Sequence, residues 1–366
     1  MKHRPVIFCF LIFCSLLPLR AQDKESFFSD GIISGQWHYG FITPHHKAIQ
    51  YVVKKPISGF DITFSKPTYG KNIWEKLYRY PRYGVGYFRV SLGNDEILGN
   101  GNALYGFLNI PFYKTQRFSV NYQISLGLGY VNKVFDVNSD PLDVAVSAHV
   151  NAFVRFNTDV KYQLYKNFEI LGGINMQHFS NGKLRSPNLG INSVTTSLGL
   201  SYLFNNTVKE INPSPPEPVI KHHYYYLIYS AGLKTYDDFH NKYYFTSSLS
   251  FHYDRVLNTK YRLGLGSDLF YNGAIKPAFI EKKDKEASVP DLFRAGIHAG
   301  GSVTYNRLSM ILQVGYYVYA RYIYITRVYN RIGLRYRLND HLLLNCTLKS
   351  HLAIADFIEW GVGYRW

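Results

Sequence analysis

Along most of the chain apolar and polar residues alternate with a period of two, and no stretch carries a helical stripe. The C-terminal stretch "IADFIEWGVGYRW" sets the pattern. Ile354, Ile358, Trp360, Val362, Tyr364 and Trp366 share one face, interrupted by Asp356, while Ala355, Phe357, Glu359, Gly361, Gly363 and Arg365 share the other. An apolar face opposite glycine and charge predicts a strand with lipid on one side and a barrel interior on the other.

About sixteen such segments follow one another, starting near residues 33, 57, 82, 101, 118, 147, 168, 190, 223, 243, 260, 293, 308, 326, 341 and 353. The connections "YKTQR", "YKN", "YNR" and "LND" are short, whereas 131–146 and 272–292 are long. Bacterial barrels have short periplasmic turns and longer outer loops, so a chain that starts in the periplasm puts all four short turns on that side. The long connection 67–84 is the exception and must then be periplasmic as well. The Pro-rich stretch "NNTVKEINPSPPEPVIKHH" reads as a linker, 206–222, between 23–205 and 223–366. The expected fold is all-β: an antiparallel transmembrane β-barrel of about sixteen strands in two halves of about eight. One large barrel is favoured over two small ones, because tandem barrels in a single chain are uncommon. The aromatic last residue resembles the targeting signal of outer-membrane barrels.

The first residues add a compartment. Lys2, His3 and Arg4 precede an apolar run from Val6 to Leu17, and small or polar residues follow, which predicts a signal peptide over 1–22 cut near Ala21. Cys9 and Cys14 leave with it, so Cys346 alone remains and no intramolecular disulfide is expected. Aromatic residues make up 17% of the chain, with 33 tyrosines, a load suited to strands and membrane interfaces. A net charge of +16 in an exported protein points away from nucleic acid and towards an anionic glycolipid surface, with the remaining cations solvating loops and lumen.

Within the seventh segment, "FEILGGINMQHFS", the even positions are the apolar ones, so His178 and Ser180 continue a lipid-facing row near the outer end of the strand. Asn192 starts the eighth segment on the same face. Two readings stay open. These residues are an interfacial polar girdle, or they are an imidazole and a hydroxyl placed for nucleophilic catalysis, which further needs a group to orient the base and donors for an oxyanion.

The stretch "HFSNGKLRSPNLGIN" is similar to the active-site region of the PagL family of lipid A 3-O-deacylases, also called acyloxyacyl hydrolases. The likeness lies in the His-x-Ser-Asn core and the following Pro-Asn-x-Gly-Ile spacing. "YGKNIWEKLYRYPRYGVGYF" and "LGNGNALYGFLNIPFY" also resemble this class, and the likeness spans roughly residues 35 to 205. It implies an outer-membrane serine esterase with its catalytic residues on the lipid-facing wall, acting on an ester-linked acyl chain of lipid A in lipopolysaccharide. Ser180 would be the nucleophile, His178 the general base, and Asn181 with Gly182 the oxyanion hole. Lys183 and Arg185 would meet the phosphorylated headgroup. The family's third member is a glutamate fourteen residues after the histidine; here that position is Asn192. An amide can orient an imidazole but cannot stabilise imidazolium by charge, and in a serine-protease triad that exchange costs about four orders of magnitude, partly through the wrong tautomer. The acids Asp95, Glu96, Asp136, Asp140 and Asp143 fall in outer loops and are candidate substitutes.

Neither metal nor cofactor is expected: there is no HExxH, P-loop or dinucleotide motif, and the His pairs at 45–46 and 222–223 read as loop residues. The rival functions are a catalytically weak or inactive barrel serving as channel or structural protein, and a surface-binding protein using "NGAIKPAFIEKKDKEASVPD".

Overall fold

The computed structural model describes residues 29–204, 222–236, 242–323, 325–352 and 354–366. The expected signal peptide and nearly all of the Pro-rich linker lie outside the described residues. Alternation becomes sixteen antiparallel strands. The first eight are β1 (Ile32–Ile42), β2 (Ile57–Pro67), β3 (Arg82–Ser91), β4 (Asn100–Lys114), β5 (Phe118–Val131), β6 (Val150–Tyr165), β7 (Phe168–Ser180) and β8 (Ile191–Leu203). The second eight are β9 (His223–Thr235), β10 (Tyr243–Val256), β11 (Tyr261–Asn272), β12 (Phe293–Tyr305), β13 (Leu308–Ala320), β14 (Val328–Arg337), β15 (Leu342–His351) and β16 (Ile354–Arg365). Short helices α1 (Lys47–Val52), α2 (Ile73–Leu77) and α3 (Ile275–Lys283) sit in connections. Among the described residues no helix is long and apolar enough to cross a membrane.

The strands do not form one wall. β1 pairs with β8, from Ile32 opposite Leu203 to Ile42 opposite Ser193, and β16 pairs with β9, from Trp360 opposite Ala231 to Arg365 opposite Tyr226. The chain is two closed eight-stranded barrels, which corrects the expectation of a single large one. The reason lies in the interiors. Eight strands make a cylinder just wide enough for side chains to fill, and the inward residues meet across each lumen. In the first barrel Arg155 of β6 pairs with Asp61 of β2, and the hydroxyl of Tyr105 on β4 donates to Asp61 at 2.7 Å. Arg82 of β3 forks onto Glu169 of β7 through two 2.7 Å bonds. A sixteen-stranded lumen would hold these partners far apart and wet.

The outer end of the first barrel is closed differently, by an apolar plug that includes Ile42, Phe88, Leu98, Val146, Phe153, Phe179 and Ile191. The odd residues of β7 point inward, and Phe179 packs on Phe153 with ring centroids 5.0 Å apart. Anchoring Phe179 inside forces its neighbours 178 and 180 to the outer face, because side chains alternate across a strand.

The exceptional connection after β2 also finds its reason. Its helix α2 is tied by Glu75, which accepts the backbone N–H groups of Gly70 and Lys71 at 2.9 Å each. The turn then presents Tyr78, whose hydroxyl donates to the Thr304 carbonyl at 2.9 Å and whose ring lies 4.2 Å from that of Tyr305. The long short-turn-side segment is a bridge to the second barrel.

Candidate active site

Ile174 and Met176, on the even face of β7, are 60% and 59% exposed, and the same row continues into His178 and Ser180. Register places Asn192 of β8 directly opposite His178, and Val154 of β6 opposite it on the other side. His178 Nδ1 and Asn192 Oδ1 are 2.6 Å apart. An amide oxygen can only accept, so Nδ1 carries the proton and the lone pair of neutral His178 resides on Nε2. The amide is oriented from its other end: Asn192 Nδ2 donates to His45 Nδ1 at 2.9 Å.

Ser180 Oγ accepts two hydrogen bonds, from Asn188 Nδ2 at 2.9 Å and from the backbone N–H of Gly182 at 3.2 Å. A hydroxyl has two acceptor sites and one donor, so what remains is its own O–H. His178 and Ser180 share the outer face two residues apart, with no hydrogen bond between them in this resting geometry.

The loops around this pair are constrained. Gly190, at φ +80°, donates its N–H to the Ala145 carbonyl at 2.8 Å, and a Cβ there would lie 2.7 Å from His178 Cε1. Only glycine lets the chain run under the imidazole. Gly182, at φ +63°, is hemmed in by the other barrel: a Cβ would lie 2.6 Å from Ile358 Cγ1 on β16. Ala145 and Val146 insert into the apolar plug and draw the β5–β6 loop against the site, which buries Asp143 beneath it. Asp143 Oδ1 accepts from Ala145 N–H at 3.1 Å, while Oδ2 is buried without a partner among the described residues. Burial pushes this carboxyl up to about 7, with Asp140 adding repulsion and the Ala145 and Val146 amides pulling the other way.

Of the residues singled out from sequence, His178, Ser180 and Asn192 come together on the outer wall. Gly182 offers its N–H to Ser180, but Asn181 turns its side chain away, Nδ2 donating to Ser147 Oγ and Oδ1 accepting from Arg185 N–H, each at 3.4 Å. Its backbone N–H holds Asn188 Oδ1 at 3.1 Å. Asn188 is the Asn of the Pro-Asn-x-Gly-Ile spacing, but the sequence assigned it no role: an amide eight residues past the hydroxyl does not show that it will fold back onto it. His45, read as a loop residue, reaches the site through Asn192. Lys183 and Arg185 stand in the β7–β8 connection, half-buried. None of the five outer-loop acids reaches His178. Asp95 and Glu96 pair with Lys55 and Lys54, Asp136 caps its own turn through Asn138 and Ser139, Asp140 bridges to Asp136, and Asp143 is buried.

A closed β-barrel with a lipid-exposed wall and a polar cluster on that wall defines the class as an outer-membrane β-barrel. Residues 58–201 match the family model described as lipid A 3-O-deacylase (PagL), and residues 223–366 match the model described as acyloxyacyl hydrolase, C-terminal domain. Together these matches take in most of the chain, and it belongs to the PagL family. The second barrel, for which the sequence offered no counterpart, is thus part of the family likeness. No curated protein matches the chain. Among solved structures, Neisserial surface protein A is similar over 47% of this chain and 96% of its own, at 11% identity and a TM-score of 0.31. An outer membrane channel from Pseudomonas putida F1 covers 94% of this chain and 99% of its own, at 9% identity and a TM-score of 0.19. The Pseudomonas putida toluene transporter TodX covers 92% and 89%, at 8% identity and 0.18. Likeness this slight bears on neither architecture nor function.

Proposed function

We propose that the first barrel is a lipid A deacylase in which Ser180 attacks an ester-linked acyl chain. The observation that carries this reading is the state of Ser180 Oγ: both lone pairs are engaged by fixed donors, Asn188 Nδ2 and Gly182 N–H, so its proton is the group left to give. The proton goes to Nε2 of His178, whose other nitrogen is held by Asn192. The base must swing onto the hydroxyl when substrate is bound, as catalytic hydrogen bonds commonly tighten in the reactive complex.

Attack forms the bond from Oγ to the ester carbonyl carbon, and the carbonyl oxygen takes the negative charge. Asn188 Nδ2 and Gly182 N–H are then the donors within reach of it, and such preorganised donors are worth about 3–4 kcal/mol each in comparable sites. Collapse breaks the bond to the sugar oxygen, which leaves as an alcohol with the proton from His178. Water, deprotonated by the same imidazole, then frees the fatty acid. The acyl chain lies along Met176 and Ile174, which continue the row below the site into hydrocarbon. Lys183 and Arg185 face the phosphorylated sugar from the loop.

Asn192 serves as the orienting third group in place of a carboxylate, and His45 fixes which way its amide points. A flipped amide would offer N–H to His178 Nδ1 and force the proton onto Nε2, leaving no base. The decisive experiment is Ser180→Ala in lipopolysaccharide-containing outer membranes. Deacylation read by lipid A mass spectrometry should fall by about three orders of magnitude or more, with heat-modifiable migration unchanged; wild-type rates in this variant would refute the proposal.

A further inference from the structure

The lumen of the second barrel changes character along its axis. In its middle the charges are paired. Arg331 donates to Asp268 at 2.8 Å and to Glu359 at 2.7 Å, Lys349 and Lys234 share Asp356, and His298 meets Asp268 at 2.7 Å. At the end bearing the short turns, periplasmic by the orientation argued from loop lengths, an open cleft is lined by Arg262, Arg307, Arg335, Arg337 and Arg365. Asp254 is the one acidic residue among those lining it, and it is turned to His252, 2.6 Å from Nε2.

These guanidiniums are held by neutral acceptors. Arg262 donates to the Tyr226 hydroxyl at 2.9 Å, Arg335 to Asn345 Oδ1 at 3.3 Å, and Arg307 to the Leu338 carbonyl at 3.1 Å. Arg365 donates twice to the Asp340 carbonyl, while the Asp340 carboxylate stands 4.0 Å away and is 92% exposed. The Arg337 backbone N–H donates to the Arg307 carbonyl at 2.8 Å, while its guanidinium makes no hydrogen bond to a described residue. Such bonds aim the forks without cancelling their charge. Arg335 and Arg365 are only 8% and 7% exposed, so like charges face one another across low-dielectric walls. The same barrel pairs its deeper cations closely with carboxylates, whereas here five guanidiniums have only Asp254 and the exposed Asp340 near them.

We propose that this vestibule binds a multiply charged phosphate or phosphate-ester group that enters from the periplasm. Five forks against Asp254 and the solvent-exposed Asp340 leave a net positive charge that calls for a ligand carrying at least two negative charges, and guanidinium matches phosphate oxygens in pairs. Because the ion-paired layer above excludes solvent, the cleft binds and does not conduct. This site is independent of the Ser180 chemistry.

The test is calorimetric titration of the full-length protein, in phosphate-free zwitterionic detergent at fixed ionic strength, with inorganic pyrophosphate and separately with dihexanoyl phosphatidic acid. Saturable one-to-one binding is expected, weakened about tenfold or more by Arg337→Gln and by Arg335→Gln, and unaltered by Lys276→Gln on α3 at the opposite end. Because each substitution relieves repulsion, the ligand-free melting temperature should not fall, while the rise conferred by pyrophosphate should shrink. Pyrophosphate binding identifies free phosphate compounds as the source; binding of the phosphatidic acid alone identifies a lipid headgroup. Saturation by neither, or equal affinity in Arg337→Gln, would overturn the proposal.

Discussion

Asn192 Oδ1 lies 2.6 Å from His178 Nδ1, on paired positions of β7 and β8. The contact fixes the imidazole tautomer as a carboxylate would, but in the proposed mechanism it would offer no charge to the imidazolium formed from His178. Replacing Asn192 by Glu should therefore raise the deacylation rate by about tenfold, because only the missing charge is at stake and the wrong-tautomer part of the serine-protease loss does not apply. Lipid A mass spectra at matched expression measure it, and a large loss would mean that Asn192 is not the third group.

His45 sets the amide through an acceptor nitrogen, so its replacement by Gln, whose Oε1 can accept, should preserve most of the rate. His45→Ala should lower kcat more than KM, because it frees the amide to flip. On the Asn192→Glu background the penalty of His45→Ala should shrink, since a carboxylate presents an acceptor in either orientation. A double-mutant cycle reads this difference directly.

Gly190 carries the backbone past the imidazole at φ +80°, with no space for a Cβ beside His178 Cε1. Gly190→Ala should displace His178 and abolish most activity, while the barrel still closes through β7 and β8. Loss of deacylation with unchanged heat-modifiable gel migration is the expected result.

Asp143 gives a pH dependence of opposite sign to the common carboxylate case. Its folded pKa of about 7 is above the ordinary value of 3.8, so the folded state binds the proton more tightly. Stability contributed by the protonated form is present at acid pH and is lost as pH rises from about 4 through 7. The β5–β6 loop, which holds Gly190 through Ala145 and Asn181 through Ser147, should loosen over that window. Amide hydrogen exchange at Val146 and Gly190 should quicken beyond its intrinsic pH trend between pH 5 and 8 in the wild type, and follow that trend in Asp143→Asn.

Much of this was legible in the sequence, because it rests on local alternation. The sixteen expected strand starts fall within three residues of the observed ones, and the even face of β7 could be read outward because Asn175, Gln177 and Phe179 interrupt nothing when turned inward. Closure was not legible. The pairing of Ile32 with Leu203 joins the ends of one half, and the same alternation serves a strand whichever neighbour completes the wall. Asn188 escaped for a related reason: it reaches Ser180 through a loop that doubles back, where spacing along the chain says little about distance. Burial of Asp143 depends on Ala145 and Val146 entering a plug built by strands far apart in sequence.

Gly182 against Ile358 at one rim, and Tyr78 against Tyr305 at the other, fasten the two cylinders at both edges of the bilayer. A lone barrel is ringed by fluid leaflet on every side; here protein takes up part of that ring. Under the proposed reaction, a glycolipid drifting along the wall towards Ser180 would meet a blind corner, and would have to arrive, react and leave by the same open flank.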